Sequence, residues 1–555
     1  MADKTFDVVI VGGGNKALVT AMYLTKYGKM SVGIFEDRHE LGGGWSCEEP
    51  YPGFMANTCS MFHTANYHIP VYWDFPEWET YGARLNYTDV AASCSFIEDD
   101  TCLAQYCAFD DVDPNQERTA RELAKFSEQD AEVYLHYWDK CREIWDPALR
   151  EWMFTPAKPL GEPDALDKLL QNPVEAGLDP YWYSMSAHDL YADVFKDPHI
   201  KHAFARINQS VGWQWDLPGA GLGAFLFTWF YWPYGCYILG GSHCMTHASQ
   251  KVIFENGGKT FANCLVEKVL IENGRARGIR LADGTEIEAK KAVVTTVNPH
   301  QLCFELVGEE YISSKTLDRV KNLQQDWIAL MYFSWALYEP PRYKAEKWNP
   351  DIWKTQWMSL GNMDLNALKI ESAERKMLKW PSKLNMAVGY KGSTDEGGKG
   401  GKDQMFGPPG KSYTLLTEQF TIPAWCLTEE QWKEREKFHA QEIMEEWHKY
   451  APNMTWDNVI DFFPVTPFYT ASTYKNYAPG GNWCVIDNVP HQFGKMRPVP
   501  ELAGHRVPGI KQLYASGSAW HPYGAAHSAQ GYNCYKVMAD DLGLSKPWEK
   551  EGRPF

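Results

Sequence analysis

Asp7-Val8-Val9-Ile10-Val11-Gly12-Gly13-Gly14-Asn15-Lys16-Ala17 decides the fold of this 555-residue chain. A β-branched run ends in glycines, and a helical pattern opens at once with Leu18, Ala21 and Met22 on one face, closing at Gly28. The spacing is G-x-G-x-x-A. Gly12 permits the tight turn, Gly14 lets backbone approach a pyrophosphate, and Ala17 lets helix and strand pack closely. The phosphates then sit at the helix N-terminus, where unpaired N–H groups and the positive end of the dipole converge. A second strand, 31–35, delivers Glu36 twenty-two positions after Gly14, where a carboxylate accepts hydrogen bonds from ribose hydroxyls. Strand, glycines, helix, strand and acid in this order predict a nucleotide site.

The residues that follow narrow the nucleotide. After Glu36-Asp37-Arg38 comes His39-Glu40-Leu41-Gly42-Gly43-Gly44-Trp45-Ser46. A second glycine cluster just past the acid suits a flavin dinucleotide, whose pyrophosphate and ring pass close to that loop. A plain nicotinamide domain does not need it, so FAD is the expected cofactor.

Composition sets outer limits. The chain exceeds one compact core, so two domains are expected. Apolar content of 44% and charged content of 23% describe a soluble globular protein. A net charge of −17 argues against a nucleic-acid partner. Thirteen cysteines without C-x-x-C pairs, behind Met1-Ala2-Asp3-Lys4, read as reduced cytoplasmic thiols, with no metal site expected.

Along the chain, Tyr51 to Ser60 reads as an extended excursion returning under the cofactor, and residues 75–110 as strands of a second sheet. Gln116 to Met153 carries one long helical pattern, Pro156 to Pro163 a linker, and 164–216 further helix interrupted at Asp197-Pro198. Leu217 to Gly241 is the most apolar segment, with Phe225, Phe227, Trp229, Phe230, Tyr231, Trp232 and Tyr234 and no charge. Pro218, Pro233 and four glycines argue against a membrane span and for a buried substrate wall, or a face leaning on a bilayer. Phe227, Trp229, Tyr231 and Trp232 are the candidate substrate contacts. A helix from Gly240 to Glu255 precedes a hairpin turning at Glu272-Asn273-Gly274. Gly392 to Lys411 reads as a surface loop, and Glu429 to Tyr450 as an amphipathic helix. Near the end, Gly509 to Gly517 forms a short buried strand, and Ala525 to Gly531 starts the last helix.

Three blocks together resemble the phytoene desaturase and carotenoid isomerase-like FAD-dependent oxidoreductases of the amine-oxidase-type superfamily. They are Val9 to Ala21 with Glu36 and the Gly42–Gly44 loop, Gly240 to Val297, and Gly509 to Asn533. The resemblance implies an α/β fold: a Rossmann-like, two-dinucleotide-binding FAD domain (1–75, 240–310 and 500–555) interleaved with a mixed α+β substrate domain (76–239 and 311–499). It implies that Gly12, Gly14, Asn15, Lys16, Ala17, Glu36, Asp37, Gly43, Gly44 and Trp45 hold the ADP half and its surroundings. Val266 would bond adenine through its backbone, and Gly517, Ala526 and His527 would meet the ribityl chain and ring. Departures fall on the substrate side. Gly44-Trp45 replaces a frequent basic residue, the glycine-rich tail reads His521-Pro522-Tyr523-Gly524-Ala525, and Tyr237-Ile238-Leu239-Gly240-Gly241 lacks an arginine.

Flavin chemistry takes hydride from a substrate C–H, while the protein supplies position and electrostatics. His527 and His521, flanking the turn expected to face the ring, are the acid–base candidates, with His63 and His68 behind them. Asp216 suits a pocket carboxylate or a helix cap. The expected substrate is hydrophobic: terpenoid, carotenoid-like, alicyclic or aromatic. The outcome is dehydrogenation, desaturation or water-trapped hydroxylation. A redox-neutral isomerase or saturase using reduced FAD is the enzymatic alternative, and a non-catalytic carrier of prenylated proteins the alternative on the same fold. Oxygen, a quinone or a carrier protein all remain as electron acceptors, and the chain is expected in the cytoplasm or peripheral to the inner face of a membrane, with an oligomer allowed.

Overall fold

A computed structural model describes residues 4–209, 212–393, 406–408 and 413–555. β1 (Lys4–Val11) and β2 (Val32–Phe35), joined through α1 (Asn15–Lys26), lie inside a seven-stranded sheet. Its order is Lys259–Phe261, β2, β1, Glu286–Thr295, Arg275–Leu281, Val266–Glu272, and Leu513–Ala515 pairs with Glu286–Thr295. β1 runs parallel to both neighbours. Val8, Val9 and Ile10 are wholly buried, as a continuous apolar run in a sheet covered on both faces must be. The fold class read from the glycine motif is the one observed.

The two hairpin strands Val266–Glu272 and Arg275–Leu281 are antiparallel, and Asn273 (φ 51°) and Gly274 (φ 69°) take the left-handed conformations that a tight hairpin turn requires. α1 lies against the last helix, Ala529–Leu542. Gly531 makes this approach possible, since a Cβ there would stand 2.6 Å from the Lys16 carbonyl oxygen, and Thr20 Oγ1 donates to the Gly531 carbonyl at 3.0 Å.

The second sheet also has seven strands, in the order Val459–Val465, Ala329–Leu337, Tyr413–Thr421, Ala387–Ser393, Thr355–Gly361, Val90–Phe96, Cys102–Tyr106. All pairs are antiparallel except Thr355–Gly361 with Val90–Phe96. Tyr413–Thr421 and Ala329–Leu337 are buried along their whole length.

The helical regions divide further. The pattern from Gln116 to Met153 is three helices, Glu117–Ala124, Glu128–Lys140 and Asp146–Met153, with a π turn at Cys141–Trp145. The Ser127 side chain caps the second by accepting from Asp130 N–H (3.1 Å), and Pro147, which has no N–H to give, follows the π turn. The apolar segment after Leu217 is a ten-residue helix, Gly221–Phe230, stopped ahead of Pro233 and followed by the strand Gly235–Ile238. Among the described residues no helix is long and apolar enough to cross a membrane. Helix Glu429–Tyr450 is closed by a capping box between Thr428 and Gln431. Most of the Gly392–Lys411 stretch lies outside the described residues; within it Phe406 is buried, and its carbonyl accepts from Met55 N–H at 3.0 Å.

Candidate functional site

The glycine turns build the site's floor. Gly12 (φ 85°) sits where a Cβ would stand 2.8 Å from Thr296 Oγ1. Gly14 is the N-cap of α1, which no side chain caps. The second loop crosses it: Gly42 N–H donates to the Gly13 carbonyl at 2.9 Å, and a Cβ on Gly43 would stand 3.1 Å from Gly14 Cα. On Gly14 itself an added Cβ would meet no atom within 4 Å. Backbone here is held against backbone on one side and faces open space on the other.

That space is a cavity of about 440 Å³, within the range of about 300–1,000 Å³ typical of ligand sites. Gly12, Gly14, Glu36, Asp37, Gly43 and Val266 line it. Glu36 is fixed at its rim: one carboxylate oxygen accepts from Gly13 N–H at 2.6 Å, the other from Arg38 N–H at 3.0 Å. Burial raises its pKa, against the pull of those two N–H groups. The Arg38 guanidinium stacks 4.3 Å over the Tyr474 ring and bonds Glu48, and Lys475 pairs with Asp37 at 2.7 Å. Both links tie the 473–476 segment to the nucleotide loop.

A second, narrow cavity of about 80 Å³ opens across the glycine crossing. Its lining includes Asn15, Lys16, Gly44, Ser518, Ala525 and Ala526 from the nucleotide half together with Met61, Phe62, Tyr67, Tyr231, Trp232, Leu330, Tyr332, Trp357 and Glu418. Gly14 and Gly43 line the first cavity and their neighbours Asn15 and Gly44 the second, so the two cavities border the same glycine crossing at the N-terminus of α1. Lys16 is buried, and its ammonium donates to the Ala525 carbonyl at 2.6 Å. Burial lowers its pKa to about 7. Asn15 Nδ2 and Trp45 Nε1 both donate to the Ala526 carbonyl, at 3.3 and 3.0 Å. Three side chains of the amino-terminal motif thereby clamp the turn that leads into the last helix.

The remaining candidates fall elsewhere. Ala17 and Trp45 are buried in packing, and Gly517 (φ 132°) turns the chain beside Thr296 while its neighbour Ser518 reaches the cavity. Of the four aromatic candidates, Tyr231 and Trp232 line the second cavity. Phe227 and Trp229 do not: Phe227 packs on Trp213 and Tyr523, and Trp229 Nε1 donates to the Tyr134 carbonyl at 3.2 Å. The helix period explains the split, since Phe227 and Trp229 precede the helix end at Phe230 and the other two follow it. Neither His521 nor His527 is among the residues lining the cavities. His521 Nε2 donates to the Trp152 carbonyl (3.0 Å) and His527 Nε2 to the Tyr523 carbonyl (3.0 Å). Burial pushes the first down to about 4 and the second well below its ordinary value. Asp216 is an ion-pair partner of Lys376 (2.9 Å), bonded also by Ser372.

His63 and His68 form a buried chain. Ser60 Oγ, a cavity residue, and Ser242 Oγ contact His63 Nε2 at 3.3 and 3.0 Å. His63 Nδ1 meets His68 Nε2 at 3.2 Å, and His68 Nδ1 meets Ser528 Oγ at 2.6 Å. Burial, then the neighbouring His63, lowers the His68 pKa well below its ordinary value. Two further site residues escape a reading by motif: Ser518, which follows a glycine turn, and Glu418, an acid inside the wholly buried strand Tyr413–Thr421.

These donors and spaces fit an FAD molecule. The open face of Gly14, the uncapped helix and the anchored Glu36 suit a diphosphate and ribose, and the second cavity lies at the ring end. Residues 10–76 match the NAD(P)-binding Rossmann-like domain family. One of the polypeptides of limonene dehydrogenase from Castellaniella defragrans is 24% identical, the alignment covering 98% of this chain and 96% of that protein. Hydroxyneurosporene desaturase of Rubrivivax gelatinosus is 30% identical over 35% of this chain and 36% of its own. Among solved structures, cyclohexylamine oxidase of Brevibacterium oxydans superposes with a TM-score of 0.53 at 13% identity, covering 97% of this chain and 99% of that one. The chain is an FAD-dependent oxidoreductase of the desaturase and dehydrogenase type.

Proposed function

We propose that this enzyme removes hydride from an activated C–H bond of a small terpenoid or alicyclic molecule, giving an alkene or, where water captures the carbon, an alcohol. The cavity beside the glycine crossing carries this reading. Its far wall is hydrocarbon and aromatic, with Met61, Phe62, Tyr231, Trp232, Leu330 and Trp357 together, and its near wall is the cofactor side of the fold. These side chains bind apolar molecules through buried area, beside the polar groups Asn15, Lys16, Ser60 and Glu418 of the same lining. A relative named for limonene and another named for hydroxyneurosporene support the substrate class.

Bound FAD supplies the hydride acceptor. The residues of this chain supply the remainder. Lys16, Asn15 and Trp45 fix the 525–526 turn against α1, so the nucleotide-half residues that border this cavity are held as one hydrogen-bonded unit. Trp232, Trp357 and Phe62 exclude water from the C–H to be broken, and the Phe62 ring packs 4.9 Å from that of Trp232. Ser60 offers the cavity a hydroxyl backed by the His63–His68 chain.

Anaerobic photometry of the FAD-loaded enzyme with limonene and a panel of alicyclic hydrocarbons tests the proposal. The expected result is bleaching of the flavin bands by the hydrocarbon alone. Turnover seen only with pre-reduced enzyme would replace this reading with isomerisation or saturation.

A further inference from the structure

The nine residues of strand Tyr413–Thr421 are all buried, yet the strand brings a carboxylate, Glu418, into the wall of the aromatic cavity. Tyr332 stands opposite it in the strand register, and Phe62, Tyr231, Trp232 and Trp357 are among the other residues of the lining. Glu418 is electrically coupled to Arg206, a buried arginine of the helix Pro198–Gln209: burial lowers the guanidinium's pKa, and Glu418 and then Glu371 oppose the fall. Arg206 is anchored by donating to the Asn385 carbonyl at 2.8 Å. An acid in a dry pocket of rings is a poor partner for a neutral hydrocarbon. It is a good partner for positive charge, because carboxylate field and ring quadrupoles act in the same sense.

We infer that the cavity is built to hold a substrate carbocation, and that Glu418 is the catalytic residue that takes the proton lost after hydride leaves. The inference rests on the proposed oxidation. The first C–H bond breaks with both electrons leaving as hydride to the oxidised flavin, so the carbon becomes positive. An adjacent C–H bond then breaks, its electron pair becomes the second bond of an alkene, and its proton passes to a Glu418 carboxylate oxygen. Where water enters, its oxygen lone pair bonds the cationic carbon and its proton goes to the same carboxylate, leaving an alcohol. Either route removes two electrons from the substrate and one proton into the protein. The titratable groups that share the cavity with Glu418 are Lys16, whose pKa burial lowers to about 7, the Cys59 thiol and the phenols of Tyr67, Tyr231, Tyr332 and Tyr477, while Arg206 interacts with the carboxylate electrostatically.

The test compares two probes of one shape, N,N,N-trimethylcyclohexylammonium and tert-butylcyclohexane, binding to the FAD-loaded protein and read by the shift of the flavin spectrum. Glu418→Gln is expected to loosen the ammonium probe at least tenfold and to leave the neutral probe within twofold. Equal change for both, or none for the ammonium probe, overturns the role of Glu418. Should the variant not fold, the parent alone decides: failure to bind the ammonium probe is fatal to the inference. A substrate panel separates a cation made in the reaction from one brought in by an amine. Bleaching by limonene and not by cyclohexylamine supports the inference, and the reverse overturns it. Protein that purifies without flavin, or whose flavin no hydrocarbon bleaches, defeats the proposed function instead.

Discussion

Gly14→Ala separates what the protein needs from what its ligand needs. Gly14 has φ −67° and ψ 171°, a conformation alanine adopts freely, and its added Cβ would meet no protein atom within 4 Å. The apoprotein should therefore fold as before and gain about 0.4–1 kcal/mol from the stiffer unfolded chain. The methyl group instead projects into the space assigned to the diphosphate. Backing a phosphate off by about one bond length, ~1.5 Å, breaks one or two charge-assisted bonds from helix N–H groups, each worth about 1.5–3 kcal/mol. FAD affinity then falls by about 1.5–6 kcal/mol, roughly 10- to 25,000-fold. Titration of apoprotein with FAD, followed by fluorescence quenching, measures the affinity, and scanning calorimetry measures the stability. Gly12→Ala is the contrast: with φ 85° and Thr296 Oγ1 at 2.8 Å, it should lower the apoprotein's Tm directly. If Gly14→Ala leaves both Kd and Tm where they were, the diphosphate does not pass over α1.

Glu36→Ala removes the anchored carboxylate at the rim, so FAD should elute from the protein on gel filtration, and retention equal to the parent would refute the ribose assignment. Lys16 gives a pH dependence. Its folded pKa, about 7, lies below the ordinary 10.5, so the unfolded chain keeps a proton that the folded one has lost. Apoprotein stability therefore rises as pH climbs from about 7 towards 10, by no more than about 4 kcal/mol; urea unfolding at both ends should show the rise in the parent and a flat line in Lys16→Met. Trp232→Leu should shift kcat/KM towards bulkier hydrocarbons by about tenfold. Trp229→Ala should leave that ratio alone and cost about 3–5 kcal/mol of stability.

The nucleotide half was legible because its signals are local. A parallel strand, two glycine turns, an acid at fixed spacing and an Asn273-Gly274 hairpin each follow from a few consecutive residues and the backbone they permit. The ring-end cavity is not local. Ser60 and Phe62 come from the excursion after β2, Trp232 from just past a helix end, Tyr332, Trp357 and Glu418 from three strands of the second sheet, and Ser518 from a turn near the terminus. Hydrophobic periodicity says that such residues are buried, not against what. Trp229 and Trp232 are alike in the sequence, and only the helix stop at Phe230 sends one to the core and the other to the cavity. The histidines near the last turn look catalytic by position, yet each is held by a backbone carbonyl.

Buried charges were the feature that motif reading passes over, and their energetics explain why they matter. Glu371 and Arg375 form a buried pair at 2.9 Å, with Asn385 and Gln209 also donating to the acid, so that carboxylate is surrounded by protein donors. Pairs of this kind add little net stability, because desolvation offsets most of the attraction. Glu418 is also buried and also coupled to an arginine, but it borders a cavity that admits a ligand. In a low-dielectric pocket its field acts on an incoming charge more strongly than in water, reduced by the opposing field of Arg206. A hydrocarbon entering there feels that field weakly in its ground state and strongly once hydride has left. That difference between ground and transition state is the one that accelerates a reaction.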